Sequence, residues 1–147
     1  MKATRLGFLF ATGILATAAA QADDIAGIFK VVNGGVSVER KGVALPAAIG
    51  MAVYQSAQIV TAADGSAGIT FEDNALLSLG PSSRLALDRF AFNSTTHDGV
   101  FETTLRSGKL AVVSGKIAHH QLDAMKVKTP NTVLGVRGTK FLVEVGG

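Results

Sequence analysis

Beyond Ala22, apolar residues recur two positions apart along most of the chain, with polar or small residues between them. That is the period of a strand with one buried face. The clearest stretch pairs Ile69 with Phe71, Leu77 with Leu79 and Leu85 with Leu87, each pair eight residues after the last. Asp64-Gly65, Asp73-Asn74 and Gly80-Pro81-Ser82-Ser83 punctuate it with turn residues. Eight residues leave no room for a helix or a parallel crossover, so the local product is a meander or the edges of solenoid rungs. The same grammar places Val36 and Val38 between Asn33-Gly34-Gly35 and Lys41-Gly42, and Leu110 and Val112 between Ser107-Gly108 and Ser114-Gly115. The last strand alternates Phe141, Val143 and Val145 against Leu142, Glu144 and Gly146. Residues 43–59 are Ala-rich, but Pro46 and Gly50 cost about 3 and 1 kcal/mol inside a helix, so extended chain is expected there.

These patterns predict one all-β domain over residues 23–147, a short-stranded solenoid or roll, with a β-sandwich as the alternative. Val127, Val136, Phe141 and Val143 are expected to face the core together with the eight-residue pairs and Leu110 and Val112. Fifteen of the 17 Gly lie beyond Ala22, clustered at strand ends, which implies many tight corners.

Residues 1–22 have a different organisation. Lys2 and Arg5 precede an apolar run from Leu6 to Ala20, which ends on Ala20-Gln21-Ala22 before Asp23-Asp24. This is the pattern of a secretory signal peptide, with cleavage expected after Ala22. The run is short of the ~20 residues a bilayer span needs, so no stable membrane insertion is expected after cleavage. The mature product is expected in the periplasm.

Export changes the charge balance. The chain carries 14 basic and 11 acidic residues; without Lys2 and Arg5 the remainder has 12 against 11. The scattered cations Arg84, Arg89, Arg106, Lys109 and Lys116 form no basic stripe, so no nucleic-acid partner is expected. With no Cys there is no disulfide, thiol nucleophile or Cys-ligated metal. The nucleophile-elbow, phosphate-loop, zinc-protease and dinucleotide motifs are all missing. His97, His119 and His120 are the remaining metal candidates, but as neighbours on a strand His119 and His120 would point to opposite faces. Asp98, Asp123 and the Glu72-Asp73 pair read as turn chemistry. No enzyme, cofactor or metal is expected.

Three blocks then carry a resemblance: IVTAADGSAGITFEDNALLSLGPSSRLALDRF from Ile59, ETTLRSGKLAVV from Glu102, and VKTPNTVLGVRGTKFLVEV from Val127. Together they closely resemble the FecR domain family of bacterial envelope proteins, over Gly27 to Val145. The most specific piece is Thr129-Pro130, Gly135-Val136-Arg137-Gly138-Thr139 and Phe141. One departure, Asn74-Ala75 where an Asp-Gly-like turn is usual, leaves the turn intact because Asn tolerates left-handed backbone. The resemblance implies an all-β periplasmic module and a role in envelope signalling. The name-giving members combine a cytoplasmic anti-sigma segment, a membrane helix and a receptor-contacting domain. This chain is expected to lack the first two and so not to hold a sigma factor itself.

The expected function is a protein-interaction or sensing module that binds an envelope protein of unknown identity, with glycan or small-ligand binding as the alternative. Thr129, Pro130, Gly135, Arg137, Gly138, Thr139 and Phe141 are the expected structural or partner-binding residues. For Arg137 two roles compete: a guanidinium folded back onto carbonyls or an acid at its turn, or an outward anchor for a partner.

Overall fold

The computed structural model describes residues 25–137 and 140–146. The expected signal segment 1–22, and Gly138 and Thr139 of the terminal motif, lie outside the described residues. In chain order the elements are β1 (Ile25–Asn33), β2 (Val36–Arg40), β3 (Val43–Pro46), β4 (Ala52–Tyr54), β5 (Gln58–Thr61), β6 (Ser66–Phe71), β7 (Leu76–Leu79), β8 (Arg84–Phe92), β9 (Gly99–Val113), α1 (Lys116–His120), β10 (Met125–Lys128), β11 (Val133–Gly135) and β12 (Lys140–Val145). Residues 43–59 are extended chain and turns, as the Pro and Gly interruptions require.

Four stretches of chain each bend once, and the bends set the architecture. β1 runs on into β2, β5 into β6 and β7 into β8, while β9 makes its bend without a break. One half of each stretch pairs in a first leaf ordered β4-β1-β6-β7-β9-β12, the other half in a second leaf ordered β3-β2-β5-β8-β9-β10-β11. The result is a curled, open sheet, a roll. Its pairs are antiparallel apart from β9 with β10, so the described strands form a folded meander rather than stacked parallel rungs.

The four bends lie side by side. Gly35 O accepts from Ala62 N at 2.8 Å, Ala62 O from Ser82 N at 3.0 Å, and Lys109 O from Gly80 N at 3.0 Å. Bending a sheet strips ladder partners from the corner, and two buried hydroxyls replace them. Thr61 Oγ1 donates to Gly80 O at 2.6 Å and accepts from Ser83 N at 2.9 Å. Ser83 Oγ accepts from Lys109 N at 3.0 Å. That last bond puts Ser83 against Gly108, whose φ is +94° and where an added Cβ would sit 2.5 Å from Ser83 Cα. Only glycine meets both conditions cheaply.

Folding the sheet encloses its two inner faces. Every expected pair from Ile69 to Leu87 is buried, as are Leu110, Val112, Val127, Val136 and Val143. Phe71 of the first leaf meets Phe101 of the second with ring centroids 4.6 Å apart, and Phe90 packs edge-on to Phe101 at 5.1 Å. Phe141 also faces the core, as expected, but is only half-buried, because β12 is the last described strand of its leaf and nothing described covers that side.

One departure is helical. His119 and His120 are not strand neighbours but the end of α1, a five-residue helix between β9 and β10. Its two leading amides find acceptors on a distant turn: Lys116 N donates to Asp73 O at 2.8 Å and Ile117 N to Asp73 Oδ2 at 3.4 Å. This supplies the cap that its own flank, Gly115, lacks. Buried Ile117 then packs at the end of the roll away from the bends, against Gly99.

Candidate interaction site at the C-terminal motif

The terminal motif makes the free edge of the second leaf. β10 and β11 form a hairpin whose turn closes with Thr129 N donating to Thr132 O at 2.8 Å, and Pro130 occupies the first central turn position, where its fixed φ suits. Among the described residues β11 pairs with β10 alone. Val133, on this edge, is 60% exposed, and Leu134 is exposed beside it. Val136 N continues the ladder to Met125 O at 3.0 Å and buries its side chain.

Gly135 and Arg137 alternate onto the face of Val133, away from Leu134 and Val136, and share one partner. Asp123 precedes β10 with φ +64°, and its Oδ1 would lie 2.5 Å from a Cβ at Gly135. The glycine therefore makes room for the carboxylate, whose Oδ2 accepts from Arg137 at 3.4 Å. The guanidinium has found an acid at the turn, yet the Arg137 side chain is 70% exposed. Such an exposed pair contributes ~0–1 kcal/mol, which leaves Arg137 accessible for contact.

β12 forms the corresponding edge of the first leaf. Between the two edges lies an open slot of about 380 Å³, with Leu134 and Val136 on one wall and Phe141 and Val143 on the other. Lys126 and Lys140, near it on the two leaves, pair with no acid among the described residues. The slot lining is apolar except for Arg137, which is paired with Asp123. The structure thus brings together Gly135, Arg137 and Phe141, puts Thr129 and Pro130 at the far hairpin turn, and adds Asp123, which sequence reasoning took for turn chemistry alone.

Of the other chemistry-bearing residues, His97, Asp98 and His120 lie together, with the His97 and His120 rings edge to face at 6.3 Å between centroids. His120 Nε2 lies 2.9 Å from Asp98 Oδ1, His119 Nε2 lies 3.3 Å from Ser114 Oγ, and His97 stacks on Phe92. Among the described residues no three His, Asp or Glu side chains could hold a metal ion. Asp73 is fully buried, and burial pushes its carboxyl above the ordinary 3.8, against the opposing pull of the Ala75 and Ile117 amides and the Lys116 charge. It pins α1 to the β6–β7 turn.

The fold and this edge geometry accompany a family assignment. The family model described as FecR protein matches residues 57–147, well over half the chain, and the chain belongs to that family, one of signalling regulatory domains of the cell envelope. The match begins beside β5, and the strands before it complete both leaves through β1 with β6 and β2 with β5. No curated protein matches the chain, and no solved structure does. Among the described residues no helix is long and apolar enough to cross a membrane.

Proposed function

We propose that the mature chain is a periplasmic, non-catalytic FecR domain that works as a protein-interaction or sensing module in envelope signalling. The observation that carries this reading is the β11 edge: Val133 is exposed on the same face as an accessible Arg137, and Leu134 is exposed at the slot on the other face, within the terminal motif. Apolar side chains next to an exposed arginine suit a protein partner, since Arg and apolar anchors dominate hot spots. The glycan alternative gains no support. The chain has no Trp and one Tyr, and the Tyr54 ring is already covered by the Arg40 guanidinium at 4.5 Å.

Two measurements test the reading. Intact mass of the protein from a periplasmic extract should correspond to a chain starting at Asp23. A photo-reactive residue at Val133 should cross-link one envelope protein reproducibly in cells, and Arg137→Ala should abolish that adduct without unfolding the domain. Cross-links confined to cytoplasmic proteins, or a chain starting at Met1, would refute it.

A further inference from the structure

The four leaf edges are not equally protected against pairing. A free edge presents unpaired N–H and C=O groups, which proteins blunt by shortness, proline or bulges. β4 and β11 are three residues long, and β3 has four residues and ends in Pro46. β12 has six residues, no proline, and a register to β9 that runs without a shift from Lys140↔Val113 to Val145↔Gly108. On its outer side it pairs with nothing among the described residues.

The sequence of that edge, Lys-Phe-Leu-Val-Glu-Val, is self-complementary. Lys140, Leu142 and Glu144 share the outward face, with the cation and the anion two residues either side of Leu142. Antiparallel pairing of two such strands centred on Leu142 sets Lys140 opposite Glu144 twice and Leu142 opposite itself. Directly opposed side chains point to the same face and contact one another, so Lys140 gains an acid partner, Glu144, which lies 3.9 Å from Lys109 within its own chain, gains a second cation, and Leu142, 67% exposed, is covered. On the inward face the same register sets Phe141 opposite Val143 at the mouth of the slot.

We propose that β12 is the dimerisation edge of this chain: a second copy adds its own β12 antiparallel across a twofold axis at Leu142, joining the two first leaves into one continuous sheet. Such isologous contacts are the commonest route to a symmetric dimer. The shared surface is one six-residue strand a side, below the ~800 Å² per partner of stable complexes, so the association is weak and concentration-dependent. The inference does not rest on the proposed envelope role, because it needs no other protein and its edge is β12, whereas that role is carried by Val133 and Arg137 at β11; the two edges meet only at the slot.

Sedimentation equilibrium of the purified full chain, from about 5 μM to about 1 mM, should show a monomer–dimer equilibrium. Lys140→Glu and Glu144→Lys each set like charges opposite one another and should weaken the dimer about tenfold or more, whereas the double exchange restores it. Circular dichroism confirms that each exposed-site variant is folded. Because the chain has no Cys, Leu142→Cys offers a second readout. Opposed Cα atoms lie about 4.5–5.5 Å apart, within disulfide reach, so this variant should oxidise to a covalent dimer while Ala111→Cys, one strand further in, does not. A chain that stays monomeric throughout, a double exchange that does not restore association, or cross-linking at Ala111 in place of Leu142 each overturns the proposal. If the dimer fails while Val133 still captures an envelope protein, this inference alone falls and the functional reading stands.

Discussion

Gly108 and Asp73 each hold two parts of the roll together, one by having no side chain and the other by burying a carboxyl that accepts two backbone amides. At Gly108 an alanine would be strained by the positive φ, about 1–2 kcal/mol, and would also press on Ser83, about 1–3 kcal/mol. Gly108→Ala should therefore lose ~2–5 kcal/mol of unfolding free energy in urea. Gly42→Ala isolates the strain, since its φ is +77° with nothing within 4 Å, and should lose only ~1–2 kcal/mol. Equal losses at the two sites would remove the packing half of the argument. Asp73 makes a prediction in pH. Its folded carboxyl holds its proton to higher pH than the unfolded one, so between about 3.8 and the raised folded value the native state binds more protons. Stability contributed at this site is thus greatest below 3.8 and falls as pH rises through that window. Asp73→Asn cannot titrate and offers an N–H where Ile117 N needs an acceptor, so it is the less stable protein in acid. The gap between wild type and Asp73→Asn should narrow from pH 3 to pH 7; a gap that widens would show that the amide bonds outweigh burial.

At the scale of elements, a strand's alternation says which face a residue takes, and its neighbours decide whether that face is covered. Phe71 is the clear case: β6 lies inside its leaf, and Phe90 and Phe101 of the other leaf close over the ring. Phe141 follows the same alternation on an edge strand and stays half-buried. Phe71→Ala should accordingly cost ~3–5 kcal/mol, and Phe141→Ala ~1–2 kcal/mol, in chemical denaturation. Comparable losses would mean that β12 is more deeply packed than its edge position allows. This contrast also shows what was legible in the sequence. The eight-residue pairs gave correct facing because their strands are covered on the inner side by the opposite leaf. Helix α1 was not legible: five residues hold too little period to read, and the capping acceptor sits 44 residues away on Asp73. At the terminal motif the inward facing of Val127, Val136 and Val143 was legible. The link from Arg137 to Asp123 was not, because it depends on how β11 pairs with β10.

For the molecule as a whole, β9 decides whether two leaves behave as one unit. Residues 99–107 bond to β8, and 101–104 also to β10, in the second leaf; residues 108–113 bond to β12, and 110–113 to β7, in the first. Neither leaf can open fully without stripping one half of this strand, and Gly108 couples the halves through Ser83 and the neighbouring bends. The inner faces reinforce this, since Phe71 and Phe101 lose their contact if the leaves part. Native-state hydrogen exchange measures the coupling directly, because each amide reports the free energy of the opening that exposes it. Central amides in both halves of β9 should exchange at one common free energy, equal to the global value from denaturant, while β3 and β11 at the edges exchange through cheaper local fraying. Leaves that unfolded separately would give the two halves of β9 values differing by more than ~1 kcal/mol, and unfolding would then no longer be two-state. Gly108→Ala sharpens the test: by loosening the shared bend it should lower protection equally in both halves, whereas a loss confined to residues 108–113 would make the first leaf a separate folding unit.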